Sequence, residues 1–333
     1  MLPQIVPETN YLMRMADGTI KQVNPLTGTE VWTVPGRGNR PLGVKSPNPA
    51  PLVSSQSDAH CSFCARNYLE TPPEKARLVK VGNKFTTLRH LQFDALFDTV
   101  AEFRRIPNLF EIVSFDYWQK NFGYKLPDAI EQHKRNYLAS ESGRYHVLKV
   151  VEQRLKAAGV DEAVWDRLSL DERLQFANAF FGGGHELIVA RRHFIDGATH
   201  DDQLASSGTL SPEEHYQYLR FTIDAMRDIY VNNRYVRYVA VFQNWLKAAG
   251  ASFDHLHKQL VAIDERGVQN EMELQLVRAN PNLYNEAAVN FAAYRNLVVA
   301  ENDHAIAYAG FGHRFPTLEI FSKSERSQPW NHS

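Results

Sequence analysis

Two short runs carry residue types that do chemistry. The first is His255-Leu256-His257-Lys258-Gln259-Leu260-Val261-Ala262-Ile263. It reads as a β-strand, and alternate side chains of a strand share one face. His255, His257 and Gln259 then project the same way, about 6.6 Å apart per pair. Three polar groups in a row on a core face each need a buried partner, so the pattern asks for a function. The competing reading is the exposed polar face of an edge strand. Just upstream, Asn244-Trp245-Leu246-Lys247-Ala248-Ala249-Gly250-Ala251-Ser252 is a small-residue loop. Such a loop lets backbone approach a ligand and present N–H groups to an anion.

The second run, Cys61-Ser62-Phe63-Cys64, holds the two cysteines of the chain. In a reducing compartment C-x-x-C is a metal half-site, a redox pair or two plain thiols. Its flanks, Ser54-Ser55-Gln56-Ser57-Asp58 and Thr71-Pro72-Pro73-Glu74, read as loop. They lack the strand-then-helix setting of a redox pair, and metal is favoured. A zinc finger needs its second ligand pair within a few tens of residues, and His255-Leu256-His257 has the wrong spacing and lies far away. Gly182-Gly183-Gly184 lacks the Lys-Ser/Thr of a phosphate-binding P-loop and reads as a turn.

Phe242-Gln243-Asn244, Gly250-Ala251-Ser252 and His255-Leu256-His257-Lys258-Gln259 resemble the active-site segment of the galactose-1-phosphate uridylyltransferase family, a branch of the histidine-triad superfamily. Other stretches are similar to that family in the same order. They are Asn24 to Trp32 with Pro35 to Pro41, Cys61-Ser62-Phe63-Cys64, Asn83-Lys84-Phe85, and His185 through Glu214. Leu256 and Lys258 depart from the common Pro and Gly or Ser. The likeness covers most of 20–87 and 182–265.

The resemblance implies an α+β fold: a histidine-triad-like antiparallel sheet with flanking helices, pseudo-duplicated, here with a large helical insertion. On that plan 1–87 and 181–265 form the first half with the active site, 88–180 is the insertion, and 266–333 is a partial second half. The implied activity is ping-pong nucleotidyl transfer between a nucleotide sugar and a sugar 1-phosphate, as in galactose metabolism. His257 is the nucleophile that becomes nucleotidylated, Gln259 donates to a phosphate oxygen, and Ser252 with Gly250 binds phosphate. Arg37 and Arg40 would clamp phosphate, and Asn83 and Asn244 would hold nucleotide or phosphate. Zinc is the implied cofactor, held by Cys61, Cys64, His255 and a fourth histidine, with His193 preferred over His200. A homodimer is implied as well. Two alternatives stay open: a phosphorylase or hydrolase of dinucleotides or nucleotide sugars using the same histidine, and a zinc-stabilised, non-catalytic nucleotide-binding protein.

Several elements must position these residues. Glu30-Val31-Trp32-Thr33-Val34 is a strand in a Pro/Gly-rich leader that must pack on something else. Residues 77–85 give a strand and a turn. From Leu91 to Phe103 apolar residues recur at helical spacing, and 127–139, 142–158 and 169–180 look helical, so 88–180 reads as mostly helix. Residues 186–190, 235–242 and 255–263 read as strands. Ser211-Pro212-Glu213-Glu214 is a capping box with Pro at the first helical position, opening a helix to Asn232. A helix near 270–279 and strands near 295–300, 304–309 and 316–322 follow.

Composition agrees with a folded, catalytically sized chain. At 333 residues it is about twice the usual ~150-residue domain. The apolar share of 44% rules out disorder as the main state. With 37 basic against 38 acidic residues the net charge is −1, so no nucleic-acid partner is expected. No segment has the roughly 20 apolar residues that cross a bilayer, so no membrane partner is expected either. The N-terminal residues lack a signal pattern, and a cytoplasmic location is the expectation.

Overall fold

The structure is a computed structural model that describes residues 11–36, 48–53 and 58–324. The chain divides into two compact units, Met1–Lys45 with Arg266–Ser333, and Ser46–Glu265. The leader strands thus belong to the same unit as the C-terminal segment. Leu12–Arg14 (β1), Ile20–Val23 (β2) and Glu30–Thr33 (β3) form a three-stranded antiparallel sheet in the first unit.

The second unit is built on six strands: Ala76–Val81 (β4), Lys84–Arg89 (β5), Ala101–Pro107 (β6), His185–Ala190 (β7), Tyr238–Phe242 (β8) and His257–Ile263 (β9). All pairings are antiparallel, in the order β5-β4-β6-β7-β9-β8. The α+β antiparallel expectation holds. One sheet face carries Leu78, Phe103, Ile188 and Leu260. They pack on Tyr218, Phe221, Ala225 and Ile229 of the helix Pro212–Asn232. That helix starts where the capping box places it: Ser211 Oγ accepts from Glu214 N at 3.2 Å, and Glu214 Oε2 accepts from Ser211 N at 2.8 Å. The other face carries Ile106, Leu187 and Val189, packed on Phe63.

Three expectations are corrected. The stretch 91–103 is not a helix; it holds one short 3-10 turn at Phe93–Ala95, and β6 opens at Ala101. Arg104 and Arg105 hid this strand, because both are buried, Arg104 on Glu74 and Arg105 on Glu186. A strand buried on both faces shows no polar alternation, and two charged residues broke its apolar run. The helical insertion accordingly lies between β6 and β7, not over 88–180. Its helices are Phe115–Phe122 (α1), Asp128–Ala139 (α2), Glu141–Ala157 (α3), Glu162–Arg167 (α4), Leu170–Gln175 (α5) and Asn178–Gly182 (α6). The stretch 77–85 is not a lone strand but a hairpin of β4 and β5. Gly182-Gly183-Gly184 is a packing feature, since a Cβ on each would meet Leu126 at 1.9 Å, Glu111 at 2.1 Å and Ala262 at 2.8 Å.

With Pro212–Asn232 as α7, the first unit resumes with Val268–Ala279 (α8) and a sheet of Val298–Glu301 (β10), Ala305–Ala309 (β11) and Leu318–Ser322 (β12). These match the elements expected near 270–279 and 295–322. Among the described residues no helix is long and apolar enough to cross a membrane.

Candidate active site and metal centre

Four ligand-type side chains converge in the second unit. The turn Cys61–Cys64 is closed by Cys64 N donating to Cys61 O at 3.0 Å. It is braced by Asn67 Nδ2, which donates to Ala59 O and Cys61 O at 3.1 and 3.0 Å. Both sulfurs therefore face the sheet. His193 arrives just beyond the end of β7 and His255 just before β9. The four ligand atoms lie within 4.8 Å of one another, and Cys64, His193 and His255 are buried. The sulfurs are 3.8 Å apart, and the Sγ to Nδ1 distances are 3.4, 3.5, 3.4 and 3.8 Å.

These spacings fit a tetrahedral ion. With bonds of about 2.3 Å to sulfur and 2.0–2.1 Å to nitrogen, ligand atoms of a tetrahedron stand roughly 3.4–3.8 Å apart. His255 Nε2 donates to Ala190 O at 2.7 Å, which frees its Nδ1 to ligate and fixes the ring. Cys64 is held below the usual thiol range, first by its hydrogen bond with Cys61 and then by those with His193 and His255. Cys61 is pushed up by the same neighbour. His193, and not His200, is the histidine that joins His255 beside the two cysteines. His200 is exposed and forms a bridge with Pro51.

A cleft of about 590 Å³ opens on the same sheet face. Its walls include Phe63, Asn108, Phe110, His185, Asn244, Gly250, Ser252, His257 and Gln259. Of the sequence-expected residues it therefore unites His257, Gln259, Ser252, Asn244 and Gly250. The register explains two of them: His257 stands opposite Val189 and Gln259 opposite Leu187, so both point to the Leu187 side. Strand β9 begins at His257, not His255, and this is a correction with a consequence. His255 precedes the ladder and turns to the cysteines, while His257 enters the cleft.

His257 is 5% exposed, which leaves it accessible only from the cleft. Its Nδ1 donates to His255 O at 2.7 Å, so the second nitrogen, Nε2, carries the lone pair. Burial is the main cause that lowers its pKa, and the ring is neutral near pH 7. In the loop, Gly250 has φ of 85° and Leu246 has φ of 63°. The second value is costly for a side chain with a Cβ and marks a strained turn beside the cleft. Lys258 points to the opposite face, where its Nζ donates to Gln243 Oε1 at 3.1 Å and lies 4.5 Å from the Tyr218 ring.

Two expectations do not reach the cleft. Asn83 sits in the exposed β4–β5 turn, with β4, β6 and β7 between its strand and β9. The Asn-x-Phe that does line the cleft is Asn108-Leu109-Phe110, at the end of β6. Arg37 and Arg40 lie outside the described residues. His185, which the sequence reading treated only as the start of a strand, is a cleft residue.

Residues 15–333 match the family described as "Domain of unknown function (DUF4921)". No curated protein matches the sequence. Solved structures similar to this chain include two from Arabidopsis thaliana. One is an ADP-glucose phosphorylase from Arabidopsis thaliana with bound ADP-glucose, with a TM-score of 0.49, 16% identity and coverage of 92% of this chain and 69% of that one. The other is a galt-like protein from Arabidopsis thaliana, with a TM-score of 0.49, 16% identity and coverage of 92% and 68%.

Proposed function

The chain belongs to the DUF4921 family, whose description assigns no activity, and from its cleft we propose that it is a nucleotidyltransferase working through a covalent nucleotidyl-histidine. One observation carries the proposal. His257 is a buried, neutral imidazole with Nδ1 committed to His255 O, so its Nε2 lone pair is the nucleophile available to the cleft. That nitrogen attacks the α-phosphorus of a nucleotide sugar, an N–P bond forms, and the P–O bond to the departing sugar phosphate breaks. A second acceptor oxygen then attacks the same phosphorus and returns the lone pair to Nε2. Splitting one displacement into two lowers each barrier. Gln259 donates to a non-bridging oxygen, Ser252 and the Gly250 backbone bind phosphate, and the Phe63 and Phe110 rings hold the apolar part of the substrate. Cys61, Cys64, His193 and His255 would hold zinc, which ties the Cys61–Cys64 turn to the entry of β9 and supplies structure.

A hydrolytic variant of the same chemistry is favoured by a second observation. Among the described residues lining the cleft there is no Lys or Arg, and Glu70 is the charged group. Sugar 1-phosphate and inorganic phosphate are both anionic acceptors that need cationic contacts, whereas water needs none, so the lining favours the hydrolytic variant. A cation from Lys247, in the turn before Gly250, or from the second subunit of a homodimer would restore the transferase reading.

Intact-mass measurement after incubation with a panel of nucleotide sugars tests the proposal. A mass gain equal to one nucleoside monophosphate is expected, discharged by sugar 1-phosphate, inorganic phosphate or water according to the acceptor. No gain with any member of the panel would refute the covalent mechanism.

A further inference from the structure

His185 is 1% exposed and lies at the back of the cleft. Both of its ring nitrogens are engaged. Nδ1 lies 3.1 Å from the backbone N of Ile112, and a backbone N–H can only donate. Nδ1 is therefore the acceptor, and a neutral ring must carry its proton on Nε2. Burial, the largest cause acting on it, lowers the His185 pKa and keeps the ring neutral. Nε2 lies 3.1 Å from the Gln259 side-chain oxygen Oε1. Asn108 Nδ2 also approaches Nε2, at 3.0 Å, but Asn108 Oδ1 is taken by Phe110 N at 2.9 Å, so Asn108 offers no acceptor. If the Gln259 amide were reversed, its NH₂ would face the ring as well. Ile112, Asn108 and Gln259 would then all present donors, and the ring proton would have no acceptor.

We infer that His185 is a positioning residue. Its Nε2–H captures the Gln259 carbonyl oxygen and thereby turns the Gln259 NH₂ toward the cleft, where it can donate to an oxygen of a bound phosphate. The two residues are diagonal neighbours on adjacent strands, since His185 pairs with Val261 and Leu187 with Gln259. The chain of orientation runs from the Ile112 N–H through the imidazole to the amide. Without it, a glutamine is free to present either end, and its carbonyl end would repel a phosphate oxygen. This inference rests on the proposed chemistry for what Gln259 does, but the tautomer it demands does not.

The experiment has an arm for each part. In protein labelled with ¹⁵N-histidine, NMR is expected to show His185 neutral with its proton on Nε2. A proton on Nδ1 overturns the inference whatever the protein catalyses. In single-turnover nucleotidylation of His257 by the nucleotide sugar that labels the wild type, His185→Leu should slow labelling ~10²-fold with little change in KM, the scale of one lost donor. His185→Gln, which keeps an N–H near the Nε2 position, should recover to within about tenfold of wild type. In a Gln259→Ala background His185→Leu should cost nothing further. A wild-type rate for His185→Leu, or an equal loss in the Gln259→Ala background, overturns the positioning role. If no nucleotide sugar labels the wild type, the proposed function fails and the NMR arm alone decides the tautomer.

Discussion

His255 and His257 stand two residues apart, yet they serve two regions with opposite demands. The four-residue cluster is closed on itself: its donors face inward, its second nitrogen at His255 is spent on Ala190 O, and its value is rigidity. The cleft is the reverse. It is open, about 590 Å³, and its key nitrogen is kept unprotonated because the other nitrogen of His257 is spent on His255 O. The same device, a ring N–H given to a backbone carbonyl, fixes the tautomer in both. What differs is where the remaining nitrogen points, toward two thiols or toward a cavity. On the proposed chemistry, one strand entry makes a structural histidine and a reactive one by changing direction between them.

If the two regions are functionally distinct, their variants should fail in different ways. His257→Gly should abolish covalent labelling, a loss on the order of the ~10⁶-fold seen when an enzyme nucleophile is removed. Its metal content and melting temperature should stay near wild type. Residual labelling at the wild-type rate would move the nucleophile elsewhere.

Cys64→Ser and His255→Ala should lose the metal, measured as close to one zinc per chain in the wild type and far less in the variants. Ligand loss should also remove several kcal/mol of stability, because metal binding is coupled to folding. Chelation of the wild type should lower its melting temperature in the same direction. A variant that keeps its zinc and its stability would erase the distinction between the regions.

Gln259→Ala should keep zinc and stability, and slow labelling roughly 10²–10³-fold, the cost of one donor to developing charge. Its effect therefore falls between silence and the His257 loss.

The smallest expected effect tests a buried carboxyl beside the cleft. Glu111, just before Ile112, is pushed up to about 7, chiefly by burial. Its folded pKa lies above the unfolded value near 4.5, so the folded state holds more protons between the two. Stability is then full below about 4.5 and falls as pH rises to about 7. Glu111→Gln should flatten that window and raise stability at pH 8 by roughly 1–3 kcal/mol. Urea melts at pH 5 and pH 8 measure it, and an equal pH slope in both proteins would exclude the assignment.

Much of this protein was fixed by local sequence. The Ser211-Pro212-Glu213-Glu214 cap set the start of α7, because its bonds close within one turn. The C-x-x-C spacing brought two sulfurs together for the same reason. The strands β7 and β9, and the shared face of His257 and Gln259, followed from period-two patterning, which also put His255 on that face; the family resemblance is what singled out His257 and Gln259. Tertiary structure decided the rest. Arg104 and Arg105 made β6 illegible, since their charges are neutralised by residues distant in the chain, Glu74 for Arg104 and Glu186 with Asp228 for Arg105. The sequence favours His193 over His200, but only the tertiary structure brings His193 to Cys61 and Cys64, which lie more than a hundred residues away in the chain. The chain holds three Asn-x-Phe tripeptides, at 83–85, 108–110 and 178–180, and only the tertiary structure shows that the one at 108–110 lines the cleft. His185 carried no signal of its own, because the orientation of its proton depends on Ile112, Asn108 and Gln259, three partners that no local pattern brings together.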